Sequence, residues 1–380
     1  MSIFTEQEKK GSLVVLVGIY NTKQPQEKTS EYLDELALLA DTAGFIVRQR
    51  YLQKVEVPNP RTFIGSGKVT EIATWAKAEE INIVIFDDDL TPAQHKNIEK
   101  ELNCKVLDRT GLILRIFSER ARTSQAKTQV ELAHLQYLLP RLTGLWTHLE
   151  RQRGGHGTRG GAGEKEIETD RRYIRNRIAH LRQELIRIDR QSQTRRQHRH
   201  NITRISLVGY TNAGKSSLMN ALCKTDIFAE DKLFATLDTT TRKITYNDTT
   251  YTLSDTVGFI RKLPHNLIEC FKSTLDEVRE ADILLHVIDV THPAHLEHLD
   301  VVQKTLVEIN AADKPTILVF NKSDKLAEPE TLWFEQSWVA KKNSPCLLVS
   351  AIQRTNLLQL HQLIVDEIHH LKETIHVGYS

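Results

Sequence analysis

The sequence predicts an α/β chain in three parts: a small N-terminal parallel α/β domain over residues 1–117, a long helical hairpin over 118–200, and a C-terminal doubly wound P-loop domain over 201–380. Three observations carry this reading. Two stretches alternate short apolar runs with helically spaced segments, the pattern of a mostly parallel sheet under covering helices. Between them, helical spacing is interrupted by a glycine-rich run. Last, Gly209-Tyr210-Thr211-Asn212-Ala213-Gly214-Lys215-Ser216 follows the apolar run from Ile205 to Val208 and opens a helix-like segment. That strand, loop and helix order is what a phosphate-binding loop requires.

In the first part, the spacing predicts strands over Leu13–Ile19, Phe45–Gln53, Ile81–Phe86 and Lys105–Leu107, and helices over Ser30–Thr42, Val69–Ala78 and Pro92–Leu102. Val57-Pro58-Asn59-Pro60 marks a loop before the second helix. Gly65-Ser66-Gly67-Lys68 imitates a phosphate loop but lacks an upstream glycine at the required distance, so a turn or an RNA-backbone contact is the better reading.

In the second part, Ala121, Val130, Leu132, Ala133, Leu135 and Leu138 suit one long helix from Ser118 to Leu139, ended near Pro140. The run Gly154–Gly163 holds six glycines and is not expected to support a helix. Helical spacing then resumes from Glu164 to Arg190 through Ile167, Ile174, Ile178, Leu181, Leu185 and Ile188. The simplest assembly is a hairpin with a glycine tip and one arginine-loaded arm. From Arg151 to His200 there are 14 Lys/Arg against six Asp/Glu, a net of +8 in a chain whose total is +2. A charge run is often a solvated helix face. Beside a tip whose backbone allows close approach, guanidinium groups suit the phosphates and 2′-hydroxyls of folded RNA. Gly154, Gly155, Arg159, Arg171, Arg172 and Arg175 are the candidate RNA contacts.

In the third part, strands are expected over Arg204–Val208, Lys243–Tyr246, Tyr251–Ser254, Ile283–Asp289, Thr316–Phe320 and Cys346–Val349. Helices are expected over Lys215–Leu222, Leu267–Arg279, Ala294–Ile309, Pro329–Val339 and Leu357–Leu371. Such a sheet carries its ligand loops at the carboxyl ends of its strands.

Those loops hold the chemistry. The glycines of 209–216 let consecutive N–H groups cradle a polyphosphate, Lys215 reaches the terminal phosphates, and the Ser216 hydroxyl, followed by Ser217, binds Mg²⁺. Asp255-Thr256-Val257-Gly258 ends a strand, where the acid orients Mg²⁺ and the glycine N–H meets the γ-phosphate. Asn321-Lys322-Ser323-Asp324 follows the next buried strand but one, and Ser350-Ala351 follows the last. The Asp324 carboxylate can accept hydrogen bonds from N1–H and the 2-amino group of guanine. Adenine offers neither, and would leave a buried carboxylate unpaired. In this order the motifs specify GTP binding and hydrolysis, with Mg²⁺ as cofactor. Phe259 stands after Gly258, where many GTPases place a water-orienting glutamine. A phenyl ring cannot hydrogen-bond water, so hydrolysis in isolation should be slow.

Composition narrows the class. Charged residues are 26% and hydrophobic ones 40%, an ordinary soluble balance. No apolar run reaches the length of a membrane span and Met1–Gly11 is polar rather than signal-like, so a cytoplasmic protein is expected; a monomer is expected as well. Cys104, Cys223, Cys270 and Cys346 form no CxxC pair and read as reduced structural thiols. His292, His295 and His298 could share a helix face and bind a metal, but no motif supplies a carboxylate, and exposed histidines at a helix start are the better account.

The run Gly154-Gly155-x-Gly157-x-Arg159-Gly160-x-x-Gly163-Glu164, continued by Glu168-Thr169-Asp170-Arg171-Arg172, resembles the signature of the HflX family of bacterial ribosome-associated GTPases. Phe63 to Lys68, Phe234-Ala235-Thr236-Leu237-Asp238 and the Asp255–Phe259 run belong to the same pattern. The resemblance covers essentially the whole chain. It implies an N-terminal domain and hairpin that bind the large ribosomal subunit and its RNA near the peptidyl-transferase region, and GTP hydrolysis linked to dissociation of ribosomes into subunits under stress. It also makes Thr236 the switch-loop threonine that joins Ser216 on Mg²⁺, with Thr240 as the alternative.

Two departures stand out. Thr239 occupies a position where the family usually has proline, and Ile352-Gln353-Arg354-Thr355-Asn356 lacks the glycine often found after Ser350-Ala351. Many members also carry a C-terminal extension that this sequence does not have. Two other functions fit the same residues: a GTP-gated RNA-binding switch whose turnover is incidental, and a GTPase of ribosome assembly or RNA modification without splitting activity.

Overall fold

The computed structural model describes residues 11–142, 161–197, 202–223, 232–264, 267, 272–327 and 345–377. The chain forms two compact units, Met1–Glu119 with Lys127–Ile186, and Arg120–Ala126 with Arg187–Ser380.

In the first unit, β1 (Leu13–Tyr20), β2 (Ile46–Lys54), β3 (Ile83–Phe86) and β4 (Lys105–Leu107) pair in the order β2-β1-β3-β4, all parallel. Strands β1 and β3 are buried over nearly their whole length, which is why they read as continuous apolar runs rather than alternating ones. Helices α1 (Gln26–Thr42), α2 (Ser66–Ala78) and α3 (Pro92–Leu102) connect them. The start of α3 is written locally: Thr91 and Gln94 form a reciprocal capping box, and Pro92 supplies a preset φ without wasting a donor. Val15, Val17, Ile72, Val84, Phe86 and Ile98 meet in the core.

The helix expected from Ser118 to Leu139 is two helices, α4 (Arg109–Arg120) and α5 (Ser124–Leu138). The N–H groups of Arg122 and Thr123 leave the helical ladder and donate to the Asp238 carboxylate at 3.0 and 3.4 Å. Thr123 then accepts the Ala126 N–H at 3.1 Å and starts the next helix. The second arm, α6 (Gly161–Gln197), begins inside the glycine run rather than at Glu164. Glycine costs only about 1 kcal/mol in a helix interior, a penalty that 37 residues of continuous ladder absorb. Arg177 of α6 holds Glu131 of α5 through Nε and Nη2 at 2.7 and 2.9 Å, and Leu181, four residues further along α6, is buried.

In the second unit, β5 (Thr203–Gly209), β6 (Thr240–Tyr246), β7 (Thr249–Asp255), β8 (Ile283–Asp289), β9 (Thr316–Asn321) and β10 (Cys346–Leu348) form one sheet in the order β10-β9-β8-β5-β7-β6. The edge strand β6 is antiparallel to β7, turned by Asn247 and Asp248 at φ 45° and 60°, so the sheet is mixed rather than wholly parallel. The other pairs are parallel. After β5 the chain lays β6 and β7 on one side and β8, β9 and β10 on the other, so strand order reverses at the carboxyl end of β5. Helices α7 (Lys215–Cys223), α8 (Lys272–Arg279), α9 (His295–Glu308) and α10 (Leu357–Val377) accompany this sheet. The helix expected over 329–339 lies outside the described residues. Among the described residues no helix is long and apolar enough to cross a membrane.

Candidate functional site

The 209–216 loop leaves the sheet at that reversal point and runs into α7. Its glycines are required by space. A Cβ on Gly214, at φ 90°, would strike the Asn321 side-chain amide, and one on Gly209 would strike the Val287 carbonyl. Asn212 takes a left-handed φ of 62° between them. Buried Lys215 donates through Nζ to the carbonyls of Gly209 and Tyr210 at 3.1 and 3.0 Å. Burial lowers its pKa to about 8, against the opposing pull of Asp255.

At the head of α7, Ser216 Oγ donates to Asp255 Oδ2 at 2.5 Å and lies 2.7 Å from Thr236 Oγ1. Thr240 instead opens β6 and pairs with Asp255 in the sheet register, so the geometry separates the two threonines left open by the sequence. Burial raises the pKa of Asp255, and its Oδ1 is buried without a hydrogen-bond partner among the described residues. Two hydroxyls and an under-satisfied carboxylate make an oxygen set that suits a hard cation such as Mg²⁺. Ser217 follows at an intermediate depth, and Thr256 is wholly buried, donating to the Leu207 carbonyl at 2.6 Å.

The turn after β7 is stitched to the phosphate loop. Thr211 N–H donates to the Phe259 carbonyl at 2.7 Å, Phe259 N–H to the Gly209 carbonyl at 3.1 Å, and Arg261 N–H to the Tyr210 hydroxyl at 2.9 Å. A Cβ on Gly258 would sit 2.9 Å from Lys215 Nζ and from Thr211 Cα and Cγ2, so nothing larger than glycine fits beside the lysine. The Phe259 ring is 1% exposed and packs inward. Val257 and Ala213 are buried, as are Phe234 and Leu237, while Ala235, Thr236 and Asp238 are partly exposed. Phe234 adopts φ 53°, which turns the chain into the switch loop.

On the base side, Asn321 donates to the Ala213 carbonyl at 3.0 Å and accepts the Ala351 N–H at 3.1 Å, tying three loops together. Ser350 Oγ donates to Asp324 Oδ1 at 2.5 Å and accepts the Gln353 N–H at 3.0 Å. Lys322, at φ 69°, places Nζ 2.7 Å from Asp289 Oδ2. Burial would raise the pKa of Asp289, but the hydrogen bonds from Lys322 and Thr291 outweigh it and lower the value. The loop that lacks a glycine still closes: Arg354 and Asn356 take φ 58° and 59°, Ser350 pairs with Thr355, and Asn356 donates to the Leu348 carbonyl at 2.9 Å.

Sequence reasoning missed two features here. Tyr210 stacks on His298 with centroids 3.7 Å apart, and His292 lies 4.4 Å from His298. His298 is therefore a half-buried packing partner of the phosphate loop, not an exposed residue at a helix start. No sequence signal announces that contact. The other is the Asp238 carboxylate, which binds the turn before α5.

The remaining candidates lie elsewhere. Gly65 is the N-cap of α2 and Lys68 pairs with Glu71 at 2.6 Å within that helix, consistent with a turn. Arg172 and Arg175 are exposed on α6 and Arg171 is partly so, with Arg175 3.4 Å from Glu168. Gly154, Gly155 and Arg159 fall outside the described residues.

Comparison with known proteins agrees with this arrangement. Residues 30–118 match a family described as GTP-binding GTPase N-terminal, 120–199 its middle region, and 204–322 a family described as 50S ribosome-binding GTPase. The chain is 58% identical over 310 residues to GTPase HflX of Flavobacterium psychrophilum, which spans 82% of this chain and 75% of that protein. With GTPase HflX of Escherichia coli K12 the identity is 48% over 323 residues, 84% of this chain and 75% of the relative. A crystal structure of SsGBP in complex with GDP superimposes with a TM-score of 0.52 at 29% identity, covering 95% of this chain and 99% of that one. With likeness running through all three parts of the sequence, the chain belongs to the HflX family of GTPases.

Proposed function

We propose that this GTPase works on the large ribosomal subunit and its RNA, coupling GTP hydrolysis to separation of ribosomes into subunits under stress, as a cytoplasmic monomer. The observation that carries the reading is Phe259, whose buried ring occupies the place of a water-orienting group beside Gly258. A site complete for binding but lacking that group needs a partner to finish it, and the name of the family matched at 204–322 identifies a ribosomal partner for its members.

Within this reading, the loop from Gly209 to Ser216 cradles the phosphates, Lys215 meets the terminal pair, and Gly258 N–H senses the γ-phosphate. Ser216 and Thr236 would hold Mg²⁺ with Asp255 behind them, the metal neutralising charge on the phosphate oxygens. Asp324, steadied by Ser350, reads guanine. The basic face of α6, with Arg171, Arg172 and Arg175, and the glycine tip approach RNA.

Sedimentation of intact ribosomes with the protein and GTP, or a non-hydrolysable analogue, tests the reading. Separate subunits and hydrolysis accelerated by purified large subunits, mainly in kcat, are expected. Binding without separation or acceleration would favour the GTP-gated RNA-binding switch. Preference for precursor particles would favour an assembly role.

A further inference from the structure

Asp238 lies two residues beyond Thr236 in the same switch loop. Its Oδ2 accepts the N–H of Arg122 at 3.0 Å and of Thr123 at 3.4 Å, and its Oδ1 accepts the Thr123 hydroxyl at 2.5 Å. Thr123 is doubly engaged, since its oxygen also takes the Ala126 N–H at 3.1 Å as the cap of α5. A carboxylate at that helix start also meets the positive end of the helix dipole. Between the two residues, Leu237 is 2% exposed, and β6 begins at Thr240, so the loop has little slack. Thr236 is thus suspended between Ser216, 2.7 Å from its hydroxyl, and a carboxylate pinned through both oxygens.

We propose that Asp238 is a positioning residue for GTP hydrolysis: by clamping the switch loop to the Arg122–Thr123 turn, it holds Thr236 where its hydroxyl can join Ser216 on the metal. The clamp rests on the metal role given to Thr236 above. It also makes the loop and the first turn of α5 share hydrogen bonds, so a switch loop that lets go of its nucleotide weakens the cap of that helix. A pull on the helix start weakens the hold on Thr236 in return.

The full chain carrying Asp238→Ala, Asp238→Asn, Thr123→Val, the Asp238→Ala/Thr123→Val pair, or Thr236→Ala tests this. The readouts are kcat, KM for GTP, the Mg²⁺ concentration giving half-maximal rate, and thermal stability. Asp238→Ala should lower kcat roughly tenfold and raise the Mg²⁺ requirement several-fold, with KM changed by less than about twofold. Thr123→Val should do the same more weakly, and the double variant should be no worse than Asp238→Ala. Asp238→Asn should keep most activity, because its amide oxygen still accepts the two N–H groups and its NH₂ can donate to the Thr123 oxygen. An Asp238→Ala protein with parental kcat and Mg²⁺ requirement, beside a Thr236→Ala protein that loses both, overturns the clamp and leaves the role of Thr236 standing. An unchanged Mg²⁺ requirement in Thr236→Ala removes the reading beneath it. Additive effects of the pair, or losses in Asp238→Asn equal to those in Asp238→Ala that track thermal stability, reduce Asp238 to a structural contact.

Discussion

Two sheets in this chain end in clusters of charged side chains, and the clusters differ in how their charges are met. In the N-terminal unit, beyond β3 and β4, Arg109 is 1% exposed and bonds Asp87 at 2.9 Å and Glu35. Asp108 accepts from Arg141 at 2.9 Å, from the Tyr137 hydroxyl at 2.8 Å and from the Gly111 N–H at 2.8 Å. In the GTPase unit, beyond β5 and β7, Lys215 donates to two backbone carbonyls and Asp255 keeps Oδ1 without a hydrogen-bond partner among the described residues. In the first cluster each guanidinium meets a carboxylate, and these ion pairs clasp elements together. The second holds charges whose buried positions lower one pKa to about 8 and raise the other, and which a phosphate and a cation would complete. A doubly wound topology provides a crevice at each reversal of strand order. The state of its charges decides whether the crevice is a site.

The contrast is broken most forcefully at Lys215. Lys215→Ala should cut kcat/KM for GTP roughly 10²- to 10³-fold, since the loop would lose the side-chain cation proposed to meet the terminal phosphates. Turnover near the parental value would mean that the second cluster is no more functional than the first. The reciprocal change is Asp87→Ala, which leaves part of the Arg109 charge uncompensated and should cost about 3 kcal/mol of stability in urea titrations. Turnover per folded molecule should stay at the parental level. A drop in kcat without loss of stability would place the N-terminal cluster in the reaction.

A smaller effect is expected at Asp324. Asp324→Asn replaces an acceptor pair by an amide, and should weaken GTP roughly 100-fold while improving xanthosine triphosphate, whose 2-oxo group accepts from the new NH₂. Competition between GTP, ATP and the xanthosine nucleotide measures it, and an unchanged preference for GTP would move base reading elsewhere.

The mildest test is pH. With Lys215 titrating near 8 in the free protein, nucleotide binding must take up a proton above that value. Affinity should therefore be flat below pH 8 and fall by about tenfold per unit above it. The stability contribution runs the other way: the unfolded chain holds this proton up to about pH 10.4, so folding is favoured as pH rises between the two values. Calorimetry at pH 9 in buffers of different ionisation enthalpy reads the proton directly. No uptake would show that the lysine is charged before the ligand arrives.

Much of this was legible beforehand, because it is local. Periodicity reports which face of an element is buried, so the strands from Leu13 to Lys105 and the start of α3 at Pro92 emerged close to their observed limits. The phosphate loop, Asp255–Gly258 and Asn321–Asp324 are contiguous motifs whose residue types follow from the groups they would bind. The expected unbroken helix from Ser118 failed for the opposite reason. Nothing between Ala121 and Thr123 forbids a helix, and the chain leaves the helix where Asp238, 116 and 115 residues away, takes the N–H groups of Arg122 and Thr123. The second arm starts at Gly161 rather than at Glu164 because the ladder that follows outweighs the local penalty of glycine.

The sequence alone therefore determined the two alternating α/β stretches and a nucleotide chemistry specific enough to point to GTP. Tertiary structure alone decided that Thr236 rather than Thr240 meets Ser216, that β6 runs antiparallel at the edge, that His298 stacks on Tyr210, and that Asp238 reaches the head of α5. Spacing along a chain encodes burial and the shape of a loop, which depend on near neighbours. A hydrogen bond or ring contact between distant residues depends on which groups the strand order brings within about 3 Å, and that distance appears only when the sheet has closed.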